Sequence, residues 1–173
     1  MLVKYEGIGM SACQVGIPVR MSVIQFTPAQ LNTWSAEDIK ERDMEVIPLT
    51  VLINPKIRIV DKSVVTFREG CCSLYGLTAE VPRAKEVSVT YLNEKGDLVE
   101  NVVVRDWTAR IVQHEMDHLD GQLFTDCMKN ETLELTYWKA VNDKRGEFKT
   151  WFGGIRNWKN RIEDMMPFGI KVF

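Results

Sequence analysis

The sequence predicts an α+β domain in which antiparallel strands surround one central helix. Three observations carry that reading. Runs of branched residues separated by turn chemistry fill the chain before residue 105, only one segment, Trp107 to Leu119, holds a clear helical period, and that segment carries both histidines of the chain, His114 and His118. The helix is therefore the centre of the fold and of its chemistry.

The elements follow in order. Arg20 to Phe26 and Pro48 to Val60 read as strands, separated by the polar stretch Thr27 to Glu45, which reads as a loop holding a short helix. Val64 to Phe67 and Glu86 to Leu92 continue the strand pattern. Asn93-Glu94-Lys95-Gly96-Asp97 supplies hairpin turn chemistry, and Leu98 to Val104 is the returning strand. Asp106 is then placed to cap the helix and Gly121 to end it, while Ile111, Val112, Met116 and Leu119 give it an apolar face. Beyond it, Leu133, Tyr137 and Val141 recur at helical spacing and predict a further helix over Glu131 to Val141. No repeat or low-complexity tract is present.

Composition excludes several classes of function. At 173 residues the chain suits one domain with a core of its own. A formal net charge of −2, with Lys and Arg scattered, offers no basic stripe, so nucleic acid is not the expected partner. The longest apolar runs, Ile47 to Ile53 and Val102 to Val104, fall short of a bilayer span, and the start lacks a signal-peptide pattern, so a soluble protein is expected. Cys13, Cys71, Cys72 and Cys127 show no disulfide framework, which fits a reducing compartment. Cys13 and Cys127 are read as small buried hydrophobes.

Residues four apart on a helix share a face, so His114 and His118 can converge on one metal ion with Glu115 projecting beside it, an arrangement suited to hydrolysis. A catalytic metal commonly takes three protein ligands and leaves one position open. The best candidate for the third ligand is Cys71, in Arg68-Glu69-Gly70-Cys71-Cys72-Ser73, where Gly70 permits a tight backbone; acidic alternatives exist but lack such a setting. Gly7-Ile8-Gly9-Met10-Ser11-Ala12-Cys13-Gln14 adds small residues that allow close backbone approach, followed by an amide. By itself such a segment is a loop or a packing contact.

Taken together, in this order, Gly7 to Gln14, Glu69 to Ser73 and Gln113 to Gly121 resemble the three motifs of the peptide deformylases. The similarity covers about residues 6 to 143, and the stretches Leu49 to Lys56, Val60 to Ser73 and Thr136 to Asp143 look most like the animal mitochondrial branch. The resemblance implies removal of formate from the N-formylmethionine of newly made polypeptides. It maps the metal ligands onto Cys71, His114 and His118 and the acid-base group onto Glu115, which would take a proton from water and return it to the departing amine. It places the side-chain amide of Gln14 and the backbone N–H of Cys72 as donors to the developing oxyanion. Ile8 and Gly9 would run beside the substrate backbone, Glu69 and Gly70 would form the opposite wall, and Ile111 would help form an apolar pocket for methionine; Arg110 receives no role.

The implied cofactor is one divalent ion, Fe2+ by family habit, with Zn2+, Ni2+ or Co2+ able to substitute. The implied partners are N-formylmethionyl nascent peptides near a bacterial-type or mitochondrial ribosome, and the implied location is the mitochondrial matrix, otherwise the cytoplasm. Ser11 stands where alanine is common in the family, and Cys72 where many bacterial members have leucine. The family carries several dozen residues and a helix before the first motif; six residues precede it here, so that N-terminal helix is expected to be missing. Residues 1–143 are read as the catalytic domain and 144–173 as an extension of unassigned role. Two competing readings are a zinc metalloprotease, which shares His-Glu-x-x-His, and a silent relative that binds without turnover.

Overall fold

A computed structural model of the chain describes residues 7–136. Its frame is one antiparallel sheet whose strands run in the order β1-β2-β3-β4-β5, with β6 pairing on β4. The strands are β1 (Gly9–Ser11), β2 (Met21–Phe26), β3 (Ile47–Gly70), β4 (Leu77–Leu92), β5 (Leu98–Arg105) and β6 (Glu134–Leu135). The helices are α1 (Pro28–Leu31), α2 (Ala36–Glu41) and α3 (Asp106–Leu119). The expected α+β arrangement around one long helix is what forms.

Where the sequence suggested separate strands over Pro48 to Val60 and Val64 to Phe67, the chain runs as the single strand β3, with register shifts between Ile53 and Lys56 and again between Ile59 and Val64. Those irregularities absorb the polar residues Asp61, Lys62 and Ser63 without ending the strand. The hairpin of β4 and β5 closes as expected: Asn93 Oδ1 accepts from the N–H groups of Lys95 and Asp97, both at 2.9 Å, and Gly96 takes φ +84°.

The stretch Thr27 to Glu45 holds two short helices instead of one. Each start carries a cap legible in the sequence, Thr27 before Pro28 and Ser35 before Ala36, whose hydroxyls accept from the N–H of Gln30 and Asp38. The long helix also departs in one detail. Asp106, expected as its cap, is its first residue, with φ +42°, and Arg105 occupies the extended cap position without a capping bond from its side chain. Gly121 ends it as expected, at φ +77° with its N–H on the carbonyl of His118.

The helix expected over Glu131 to Val141 does not form within the described residues. Asn130–Thr132 make a 3-10 turn and Glu134–Leu135 pair with β4, because the hydroxyl of Thr132 accepts from the Glu80 N–H and the Thr136 N–H reaches the carbonyl of Gly76. Sheet-edge pairing outcompetes a weak helical pattern here. Residues 137–141 of that segment, and the extension over 144–173, lie outside the described residues. No helix among the described residues is long and apolar enough to cross a membrane.

The core lies between α3 and the sheet. Ala109, Ile111, Val112 and Met116 of the helix meet Ile24 and Phe26 of β2, Leu52 of β3 and Val87 and Val89 of β4. Trp107 anchors the first turn, its ring 5.3 Å from Phe26 and edge-on to Trp34 at 5.8 Å. A smaller cluster of Cys71, Ala79, Val81 and Phe124 packs beneath the turn that joins β3 to β4. The larger cluster pins the helix to the sheet, and the smaller one seats Cys71.

Candidate metal centre

Helical spacing delivers the histidines as the sequence required. The rings of His114 and His118 lie edge to face with centroids 4.9 Å apart. Cys71, buried where β3 ends, faces them: its Sγ lies 3.2 Å from Nε2 of His118, and one ligand atom from each of the three residues falls within 4.8 Å of the others. A tetrahedral cation with metal–sulfur bonds near 2.3 Å and metal–nitrogen bonds near 2.0–2.1 Å would separate its ligand atoms by roughly 3.5 Å. The Cys71–His118 separation is close to that value, and the remaining separations do not exceed 4.8 Å.

A second observation tests the fit. Nδ1 of His114 is held by Oε2 of Glu69 at 2.9 Å, while its Nε2 is buried with no hydrogen-bond partner among the described residues. A ring nitrogen desolvated in this way is costly unless it has another function, and ligation is the usual one when a carboxylate holds the opposite nitrogen. Burial opposes ionisation of the Cys71 thiol, but the two histidines prevail and bring it down to about 5. Burial likewise works against protonation of His114, and its neighbours Cys71 and Glu69 prevail to raise it to about 10. Sulfur and imidazole thus hold a proton between them for which a cation competes. One thiolate and two imidazoles suit a divalent transition metal.

Glu115 is 2% exposed, and burial pushes its carboxyl above the ordinary carboxylate range. Its Oε2 accepts from the hydroxyl of Ser11 at 2.6 Å. Gly9 lies against it so closely that a Cβ at Gly9 would stand 2.2 Å from Glu115 Oε1. The carboxamide of Gln14 is fixed at both ends, its Oε1 accepting from the Ser11 N–H at 2.7 Å and its Nε2 donating to Ser73 Oγ at 3.0 Å and Cys71 Sγ at 3.6 Å. Cys72 opens the 3-10 turn Cys72–Leu74, and burial raises its thiol to about 11. That thiol is inert at neutral pH, so only the backbone of Cys72 is available for chemistry.

Two expectations need correction. Glu69, expected as a wall for substrate, turns its carboxylate into the interior. It is 1% exposed, gripped in a fork by Nε and Nη2 of Arg83 at 3.0 and 2.9 Å, and bound by Nη1 of Arg110 at 2.6 Å as well as by His114. Burial raises its pKa, yet His114 and Arg83 more than offset this and hold it below the usual range. Glu69 therefore orients a ligand instead of touching a peptide. Cys13, expected buried, is exposed, with its Sγ on the carbonyl of His118 at 3.3 Å, and Cys127 is only half-buried. Ile8 and Ile111 both sit in the main core, and Gly70 pairs with Thr78.

Several participants escaped the sequence. Arg83 bridges Glu69 to Asp117, reached by Nη1 at 2.6 Å, and Arg110 donates further to the carbonyls of Val81 and Val65 while stacking over Phe67. Arg83 follows Pro82 in a strand, and nothing in its local pattern marks it as buried. Arg110 did carry a signal: it lies on the buried face of a helix, one turn before His114.

The model of the polypeptide deformylase family matches residues 1–134. The chain belongs to the peptide deformylase family. It is 41% identical over 138 residues to the mitochondrial peptide deformylase of Homo sapiens, covering 79% of this chain and 56% of that protein. With the chloroplastic peptide deformylase 1A of Solanum lycopersicum it shares 39% over 127 residues, 73% of this chain and 46% of the other. The chain spans about half the length of these curated relatives. Among solved structures, a class I type b peptide deformylase from Acinetobacter baumannii superposes with a TM-score of 0.61 at 32% identity, covering 73% of each chain. The peptide deformylase of Synechococcus elongatus, solved in complex with actinonin, gives 0.60 at 33% identity over 83% of this chain and 66% of that one.

Proposed function

We propose that this chain removes the formyl group from N-formylmethionyl peptides and releases formate. The observation that carries the reading is the convergence of Cys71, His114 and His118 beside a buried Glu115 and a carboxamide fixed at both ends. A divalent cation held by the three ligands would supply Lewis acidity, activating water for attack at neutral pH. Everything else is work for this chain's own residues.

Glu115 accepts the proton of the attacking water and delivers it to the leaving amine as the carbon–nitrogen bond breaks, leaving formate and a free N-terminus. Gln14 Nε2, exchanging its long 3.6 Å contact with Cys71 Sγ, and the N–H of Cys72 donate to the oxygen on which charge develops, and removal of one such donor typically costs about 10²- to 10³-fold in kcat. The edge of β1, at Gly9, is suited to run beside an extended peptide, since among the described residues β1 pairs only with β2. Ile111, one turn ahead of His114, is the apolar side chain assigned to the methionine pocket, and Ile8 is assigned with Gly9 to the substrate backbone.

Fe2+ is the ion proposed, with Zn2+, Ni2+ and Co2+ as substitutes. The substrates are nascent chains leaving a bacterial-type or mitochondrial ribosome, and the proposed compartment is the mitochondrial matrix, in line with the 41% identity to a mitochondrial relative. The test is formate release from formyl-Met-Ala by protein purified without oxygen, with metal quantified in the same sample. Internal cleavage of a blocked peptide without formate would favour a metalloprotease instead, and metal-loaded protein with neither activity would leave a binding role. Zinc alone in that sample, with no gain on adding iron, would refute the choice of Fe2+.

A further inference from the structure

Ser11 and Ser22 are two hydroxyls with no apolar reason to be where they are. They face each other across the β1–β2 ladder, 0% and 1% exposed, with their oxygens 2.7 Å apart. Burying a hydroxyl is unfavourable unless a hydrogen bond compensates it, and alanine would fill either position without that cost. The direction of the bonds shows what the pair serves.

Ser11 Oγ has three polar neighbours: Ser22 Oγ at 2.7 Å, Glu115 Oε2 at 2.6 Å and the Glu115 carbonyl at 3.2 Å. It has one proton to give. The 2.6 Å contact has the length of a hydroxyl bonded to a carboxylate, about 2.5–2.7 Å, so the proton goes to Oε2. Ser22 then donates to the lone pair of Ser11, which keeps the Ser11 hydroxyl from rotating away. The backbone N–H of Ser11 meanwhile fixes Oε1 of Gln14 at 2.7 Å. A single residue thus orients two groups, one through its side chain and one through its main chain.

We propose that Ser11 is a positioning residue for the deformylation reaction, which through a Ser22–Ser11–Glu115 hydroxyl chain fixes one oxygen of the Glu115 carboxylate and leaves the other to exchange the proton. The inference rests on the function proposed above. Alanine at position 11 keeps the main-chain bond to Gln14 and removes the side-chain bonds to Glu115 and Ser22, so the main-chain and side-chain roles separate in one substitution.

The experiment compares wild type, Ser11→Ala, Ser22→Ala and the double variant, with kcat, KM and metal content measured on each and a crystal structure of Ser11→Ala. A hydrogen bond to a charged group predicts a fall in kcat of about ten- to a hundredfold for Ser11→Ala, with KM and bound metal unchanged and Glu115 turned from its present rotamer. Ser22→Ala is expected to lower kcat about threefold, and to add nothing once Ser11 is alanine. A purely structural role would instead lower metal content or raise KM, and that result overturns the proposal, as does kcat within twofold of wild type in Ser11→Ala. Should Ser11→Ala not fold, Ser22→Ala decides: wild-type kcat there refutes the chain of hydroxyls. If the wild type itself releases no formate, the proposed function fails separately, and an unmoved Glu115 in the Ser11→Ala crystal then refutes this inference too.

Discussion

Replacing Gly9 by alanine tests how tightly the acid-base group is seated. The new Cβ would stand 2.2 Å from Oε1, 2.8 Å from Cδ and 3.0 Å from Cγ of Glu115, so the whole end of that side chain is in the way. The nearest of these contacts is roughly an ångström short of van der Waals distance. Glu115 is buried and tied to Ser11, and must therefore leave its present position by about that amount. A misplacement of about 1 Å at a reacting group costs about a hundredfold, which is about 2.7 kcal/mol at 1.36 kcal/mol per tenfold. The three atoms nearest to the new Cβ all belong to Glu115, which is not among the candidate ligands, so the metal is expected to stay. Initial rates of formate release at saturating peptide, alongside metal content and melting temperature, check this. If kcat stays within threefold of wild type while the melting temperature drops, strand β1 has yielded in place of Glu115, and the argument from close packing is wrong. If KM rises with kcat unchanged, Gly9 serves only to pair with the peptide backbone.

The other expectations concern the ligands and their support. Glu115→Ala should retain its metal, read by elemental analysis, and lose most turnover, because the carboxylate moves protons without ligating. Cys71→Ala should fail to hold metal through dialysis, since two imidazoles alone leave the set incomplete. Glu69→Gln, which weakens the hold on Nδ1 of His114, should lower metal affinity about 10- to 100-fold in a competition titration with a chelator. Arg110→Leu removes one of two guanidiniums facing a buried carboxylate and should destabilise the fold by about 3–5 kcal/mol in urea unfolding, with both helix and sheet signals moving together.

Much of the site was legible because its chemistry is encoded at short range. Four-residue spacing put His114 and His118 on one face regardless of the rest of the fold, and the glycine before Cys71 marked a turn. The strands around the hairpin at Asn93 and the end of α3 at Gly121 were legible for the same reason, since turn and cap chemistry are local. What failed depends on distant partners. The segment after Glu131 has helical spacing, but the edge of β4 captured it, and no property of that segment alone announces the capture. Glu69 looked like a substrate wall because it adjoins Gly70 and Cys71; only the arrival of Arg83 from the facing strand and Arg110 from the helix shows that it points inward. Ser11 was visible only as a serine where the family commonly has alanine, since its partners Ser22 and Glu115 lie 11 and 104 residues further along the chain.

The sulfur and the two rings reach the centre by separate routes. Cys71 belongs to the reversal between β3 and β4, strands paired through neighbours close in sequence, whereas His114 and His118 are carried by α3, which packs on the sheet. Lifting that helix would part sulfur from nitrogen without undoing one rung of the β3–β4 ladder. It would also open the main core, where Ala109, Ile111, Val112 and Met116 pack on β2, β3 and β4, so the geometry of the centre and the integrity of that core stand or fall together.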